Sequence, residues 1–418
     1  MPMKPAILIF EDNLTQNFLP LTFLRPVYEL RCGVFTIREK IEFHFKSHEI
    51  ILHSRTYLTE VLQERNPSLK VNSFNSGELI LINGRLAVDK VVVKEIKKLD
   101  SGTLLMNNGQ LIAGNVTPNQ LKKYFNSIDT FELKPNHNLK VIEKDFSLLN
   151  YPWEIVNKNP ELINTDLPQF LSSLKRNAKK FNSAEMKNKK NIHIAVGVEI
   201  DPFVFLDASA GPIIIDSGAK IMSHSAIQGP AFIGKNSIVK MHASIYHGTS
   251  VGEWCKVGGE IEASIIHSYS NKQHEGFLGH SYLGSWVNIG ASTNNSDLKN
   301  NYSNITVLLN GKNVDTNSMF MGLIMGDHSK TAINTMFNTG TIVGVSCNIF
   351  GGGFPNRYLP SFCWGGSDFL RTYDIRKCIE VAEIVMKRRN VMLTESEISL
   401  LRTVFNMTKN DRSRRTGD

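Results

Sequence analysis

Hydrophobic positions along the chain change period near residue 200. From Ile215 a step of six residues lands on Ile221, Ile227, Ile233, Val239, Ile245, Val251 and Val257. Glycine, asparagine and serine fill many of the places between them, as in Ile233-Gly-Lys-Asn-Ser-Ile. A β-branched residue every sixth position fits neither a helix nor a lone strand. It fits a left-handed parallel β-helix, in which three hexads close one triangular coil and inward side chains stack on those of the next coil. The small residues that follow belong at tight corners. The period breaks at Ser268–Glu275 and restarts at Phe277, Leu283 and Ile289. It breaks again across Asn294–Ser318, and a third run follows at Met325, Thr331, Phe337, Val343 and Ile349, of which Thr331 is the weakest member. Both breaks are expected to be loops leaving the coil, where sites often lie.

Ahead of the repeat the pattern alternates differently. Ala6–Phe10, Glu49–His53 and Leu79–Ile82 are short apolar runs that read as buried strands. Helix-like stretches, Ile37–Lys46 and Thr56–Arg65, lie between them. This order predicts a Rossmann-like α/β domain with a mostly parallel sheet and a site at the carboxyl ends of its strands, at Glu11–Leu14 and Asn83–Leu86. After the repeat, Tyr373–Arg389 and Glu395–Phe405 have helical spacing, and Thr394 with Glu397 forms a capping-box pattern. These helices are expected to cover the open end of the β-helix. The expected domains are thus 1–170 (α/β), 171–191 (linker), 192–353 (β-helix) and 354–418 (cap and helices).

Composition narrows the function. The 418 residues carry a net charge of +8, much of it in Lys175–Lys190, which reads as a solvated linker or as a basic surface facing anionic substrates. No aromatic stacking pattern accompanies it, so nucleic-acid binding is not expected. No run of about 18 apolar residues is present, so no membrane span is expected. Five scattered cysteines without a CxxC pair suit reduced thiols in a cytoplasmic protein.

Candidate chemistry gathers around the breaks. His280, in Gly279-His-Ser-Tyr-Leu-Gly, can take a proton from an amine near neutral pH. Tyr282 is spaced to share its face. Asn288 precedes the polar stretch Ser292–Tyr302, whose Asn295 and Lys299 read either as a polar turn or as a loop for sugar hydroxyls or phosphate. His328 and Lys330 sit at a corner of the third run, where a lysine can meet a coenzyme phosphate. In the N-terminal half, Arg25, Arg38 and Lys40 are candidate phosphate ligands. No glycine lies between residues 11 and 32, so phosphate binding there would rest on side chains.

The words GHSYLG (279–284) and VNIGA (287–291), followed by the Asn-rich loop, resemble the acetyltransferase half of the bifunctional N-acetylglucosamine-1-phosphate uridylyltransferase/glucosamine-1-phosphate acetyltransferases. The chain resembles most a variant group with the words LPLTFLRPVYELRCGVFTIREK (19–40), LINGRL (81–86) and YPWEIV (151–156). The resemblance implies a nucleotidyltransferase domain followed by an acyltransferase β-helix. It implies a homotrimer acting on a sugar phosphate, a nucleoside triphosphate and acetyl-CoA, in the pathway to UDP-N-acetylglucosamine. It makes His280 the base, and Tyr282 and Asn288 sugar-phosphate ligands. It also implies Mg²⁺ in the N-terminal domain, yet Asn83 stands where the family places a metal-binding aspartate, and the GxGTRM signature is absent. A nucleotidyltransferase without acyl transfer, and a non-catalytic trimeric nucleotide-sugar binder, are the two other readings.

Overall fold

The computed structural model describes residues 4–74, 77–177, 179 and 181–416. Ala178 and Lys180, within the basic stretch, lie outside the described residues. Residues 6–143 build a seven-stranded sheet in the order Lys140–Glu143, Thr103–Asn107, Gln110–Val116, Leu79–Asn83, Ala6–Phe10, Ile50–Leu52, Lys70–Val71. Ala6–Phe10 lies in its interior and runs parallel to both neighbours, with Ile7 opposite Ile50 and Ile80. Its five residues are all buried, the signature of a strand covered on both faces. Gln110–Val116 is antiparallel to both of its neighbours, so the sheet is mixed at that side. The expected helices appear as Ile37–His44 and Thr59–Arg65, the second led in by a 3₁₀ turn at Thr56–Leu58.

The hexad reading is realised as stacked coils with three sheet faces. On one face Ile215, Ile233, Val251, Ile266, Leu283, Met325, Val343 and Leu359 lie in register, each buried against the next. The coils extend past the hexad runs at both ends. Glu185–Lys187 is already a coil strand, inside the stretch read as linker, and Tyr358–Leu359 and Cys363–Gly365 add strands beyond residue 353.

The first expected loop is not one. Val257 is followed by the inward residues Ile261, Ile266, Lys272 and Leu278, each paired with the coil before it, so the chain tightens its corners instead of leaving the coil. A step of six fails there because two sides are shorter and because a lysine, Lys272, takes an inward position. Its ammonium donates to the carbonyls of Gly258 and His274 at 3.1 and 2.5 Å. Only the second break leaves the coil: residues 296–322 run out and back, carrying the hairpin Thr306–Leu309/Lys312–Asp315. Thr331 keeps its inward place by hydrogen-bonding Thr293 and the Gly290 amide.

The α/β domain lies along one face of the β-helix. Ile265, Tyr282, Ile324 and Ile342 project outward from that face into a core shared with Val27, Leu30 and Ile37. The helix Pro152–Ser173 locks the two together: Asn159 donates to Gly248 O and Ser250 Oγ, while Asp166 pairs with Lys40 at 2.9 Å. The C-terminal helices Ile375–Lys387 and Glu395–Met407 do not plug the open end. They pack across the side, with Val345 and Phe362 of the coils and Leu24, Leu58 and Val61 of the α/β domain in one cluster. The last coil edge is covered by an antiparallel strand, Leu370–Thr372.

Candidate functional site

His280 occupies a coil corner with a left-handed backbone, φ 44°. Its Nδ1–H donates to Asp297 Oδ2 at 2.8 Å, since a carboxylate can only accept. The ring lies against Phe320, centroids 4.8 Å apart. Both partners come from the excursion 296–322, whose ends are tied at this corner: Met321 N donates to Asp297 O, and Gly322 N to His280 O, each at 2.9 Å. Gly279 makes the approach possible, because a Cβ there would meet Asp297 Oδ2 at 2.2 Å. Asn295 clamps the backbone beneath, accepting from Gly279 N and donating to Gly279 O. The arrangement fixes the Nδ1–H tautomer and leaves Nε2 with its lone pair, the form a general base needs. The histidine side chain keeps about 19% of its surface exposed.

The other predicted ligands are not gathered here. Tyr282 is fully buried, and its hydroxyl donates to Arg31 O across the domain junction; it packs the interface and does not face His280. Asn288 and Lys330 sit on another face of the helix, in successive rungs after Asn271. Burial lowers Lys330 to about 8, and its ammonium donates to His328 O. Lys299 is spent on Asn304 O within its own loop. His328 lies in the junction between domains and C-terminal helices.

The N-terminal candidates are also engaged elsewhere. Arg25 pairs with Asp327 of the β-helix, Arg38 with Glu29 and Glu42, and Lys40 with Asp166. Asn83 is buried and donates to Asp12 and Leu111 O. Arg85, fully buried, grips the same Asp12 through Nε and Nη2 at 2.9 and 2.6 Å. Glu11 is likewise held by Arg55 and by the Val27 amide. What opens at the strand ends is a cavity of about 330 Å³ lined by Asp12, Asn13, Gln110, Lys134 and His137. Lys134 and His137 were missed because they come from a loop without periodic pattern. Asp12, two residues past the first strand, falls within the expected strand-end stretch Glu11–Leu14.

These residues do not fit Mg²⁺. Asp12 is neutralised by Arg85, Glu11 by Arg55, and no group of three metal-binding side chains occurs among the described residues. A hard divalent cation needs carboxylates free of such partners.

Residues 7–173 match the sugar nucleotidyl transferase family. The bifunctional sugar-1-phosphate nucleotidylyltransferase/acetyltransferase of Sulfurisphaera tokodaii is 26% identical over 225 residues, 53% of this chain and 49% of that protein. The bifunctional protein GlmU of Methanocaldococcus jannaschii is 34% identical over 114 residues, 27% of each chain. Among solved structures, a UDP-N-acetylglucosamine acyltransferase from Campylobacter jejuni aligns at TM-score 0.29 and 13% identity, over 54% of this chain and 95% of that one. The chain spans about half the length of the first of these relatives. Residues 7–173 are thus similar to sugar nucleotidyl transferases, and the stacked coils that follow form a hexapeptide β-helix. The chain is similar over part of its length to bifunctional proteins of the GlmU type.

Proposed function

We propose that the chain is a transferase of sugar-nucleotide synthesis whose β-helix moves an acetyl group from acetyl-CoA to the amine of an amino-sugar 1-phosphate. The observation that carries this reading is the His280–Asp297 pair, half-open on a rigid corner and roofed by Phe320. Nε2 of His280 takes a proton from the ammonium-derived amine as its nitrogen attacks the thioester carbonyl. The tetrahedral intermediate then collapses, the C–S bond breaks, and the thiolate leaves with a proton from the imidazolium. Asp297 stabilises that imidazolium and holds the ring; Asn295 positions the backbone beneath it. Family relationship supports nucleotidyl transfer in the N-terminal half, with the cavity at Asp12, Lys134 and His137 as its binding surface. No step there is assigned to Mg²⁺, because the acids present are already paired. The assembly would be a homotrimer in the cytoplasm, by analogy with the family.

The test mixes purified protein with acetyl-CoA and a panel of amino-sugar 1-phosphates, beginning with glucosamine 1-phosphate, and follows free thiol. Release of thiol by the wild type, and its loss by about 10²–10⁴-fold in His280→Ala, is the expected result. His274, exposed at the next corner upstream, is the control. Loss in His274→Ala with His280→Ala unchanged would move the base to that corner, and no thiol release across the panel would end the acyltransfer reading.

A further inference from the structure

A cavity of about 390 Å³ lies where the α/β domain, the β-helix and the C-terminal helices meet. One wall is apolar, with Leu400 and Leu401; another is aromatic, with Tyr269 and Trp286 stacked at 4.3 Å. His328 lies in register with them, buried, its Nδ1 without a hydrogen-bond partner among the described residues. The acids that line the cavity are all matched: Asp327 by Arg25, Glu29 by Arg38, Glu397 by Arg65. The interior is therefore charge-balanced and suits an uncharged ring with hydrogen-bonding atoms.

The rim is different. Met386 and Val391 line the cavity, and Arg388 and Arg389 lie between them in the chain. Arg389 donates to the amide oxygen of Asn271, whose neighbour in the sheet is Lys256; in the preceding rung Lys256 pairs with Ile238, two residues before Lys240. None of these four cations is within ion-pair distance of a carboxylate among the described residues, whereas Lys220 on the same face meets both Glu199 and Asp201. Glu253, the acid that acts on Tyr269, pairs with none of them. Burial and its three cationic neighbours hold the Lys256 ammonium below its usual range. Like charges brought together without a partner are costly unless an anion neutralises them.

We propose that this junction is a nucleotide-binding site, with the ring in the aromatic cavity against His328 and the phosphates on Lys256, Arg388 and Arg389. It shares no lining residue with the strand-end cavity and lies on another face from His280. It stands apart from the acyltransfer reading and survives if that reading fails. Because all three structural parts line it, occupancy would stiffen their junction.

Calorimetry on the full chain tests this with ADP, UDP, adenosine and inorganic pyrophosphate. ADP or UDP is expected to bind, with the double variant Lys256→Ala/Arg389→Ala weakening it at least about tenfold while leaving adenosine unchanged. His328→Phe should weaken nucleoside and nucleotide alike and leave pyrophosphate unchanged. Diphosphate affinity unaltered by the rim variant, or abolished by Lys134→Ala in the other cavity, overturns the proposal. Binding of pyrophosphate without any gain from a base reduces the site to an anion patch and also overturns it. The rim residues are at the surface, so the double variant keeps the test readable if His328→Phe fails to fold.

Discussion

The strand ends of the α/β domain and the His280 corner of the β-helix each bring an acid against a nitrogen base, and they differ in what is left over. At the strand ends of the α/β domain, Asp12 meets Arg85 and Asn83, and Glu11 meets Arg55; nearly every donor and acceptor is used. At the β-helix corner, Asp297 meets His280 and stops, leaving one ring nitrogen uncommitted. A closed network of this kind rigidifies a core. A pair with one open atom can exchange a proton. Residue types alone do not separate the two cases; the count of remaining valences does.

The largest effect should come from opening the closed network. Arg85→Ala leaves Asp12 beside an emptied, buried space and should cost about 3–5 kcal/mol of stability, read as a fall in urea midpoint. A change under about 1 kcal/mol would mean that Asp12 is already solvated and that the comparison with Asp297 fails. On the open side, Asp297→Asn should keep the fold and lower acyl transfer by roughly 10–100-fold, about 1.4–2.7 kcal/mol, because the imidazolium loses its counter-charge. Unchanged kcat with a normal melting temperature would make Asp297 a loop tether only.

Much of the architecture could be read in advance, and the reason is geometric. Ile215 to Val257 repeat because each must fill one identical slot, and Ala6–Phe10 is apolar throughout because both its faces are covered. His280 was visible because a corner histidine stands out from such a repeat. Asp297 and Phe320 were not, since 17 residues separate Asp297 from the histidine and the excursion that carries both has no period. Tyr282 misled because its spacing from His280 is that of a shared strand face, while the α/β domain that buries it is over 240 residues away in sequence, at Arg31. Arg25, Arg38 and Lys40 look free in a sequence for the same reason: Asp327 and Asp166, which pair with Arg25 and Lys40, come from distant segments.

Acid should destabilise the fold through its buried histidines. Burial lowers His53 to about 4 and His267 in the same direction; His267 donates from Nε2 to Glu29 O and accepts at Nδ1 from serine hydroxyls, a neutral tautomer. The unfolded chain binds these protons below about 6.5 and the folded chain does not. Their stabilising effect is full above pH 6.5 and is lost as pH falls toward 4, by up to ~3 kcal/mol for His53. Urea midpoints at pH 7, 6 and 5 should drop steadily, and His53→Asn should flatten the drop. A slope unchanged by that variant would remove His53 from the account.

The smallest effect concerns Lys272, a charged residue inside a mostly apolar column that also holds Thr331. Val257 precedes it in register, and burial lowers its ammonium to about 8. The folded state therefore favours the neutral form, and the penalty for charge is fully present below pH 8 and relieved as pH rises toward 10.5. Its two bonds to Gly258 O and His274 O offset part of that penalty by satisfying carbonyls where the coil tightens. Lys272→Met keeps the length, removes the charge and leaves those carbonyls bare. If charge burial dominates, the variant gains about 1 kcal/mol at pH 7 and loses that gain near pH 10. If carbonyl capping dominates, it is less stable at both, and this coil depends on a lysine rather than merely tolerating one. The sign at pH 7 decides whether this short stretch belongs with the closed networks of the α/β domain or with the apolar column around it.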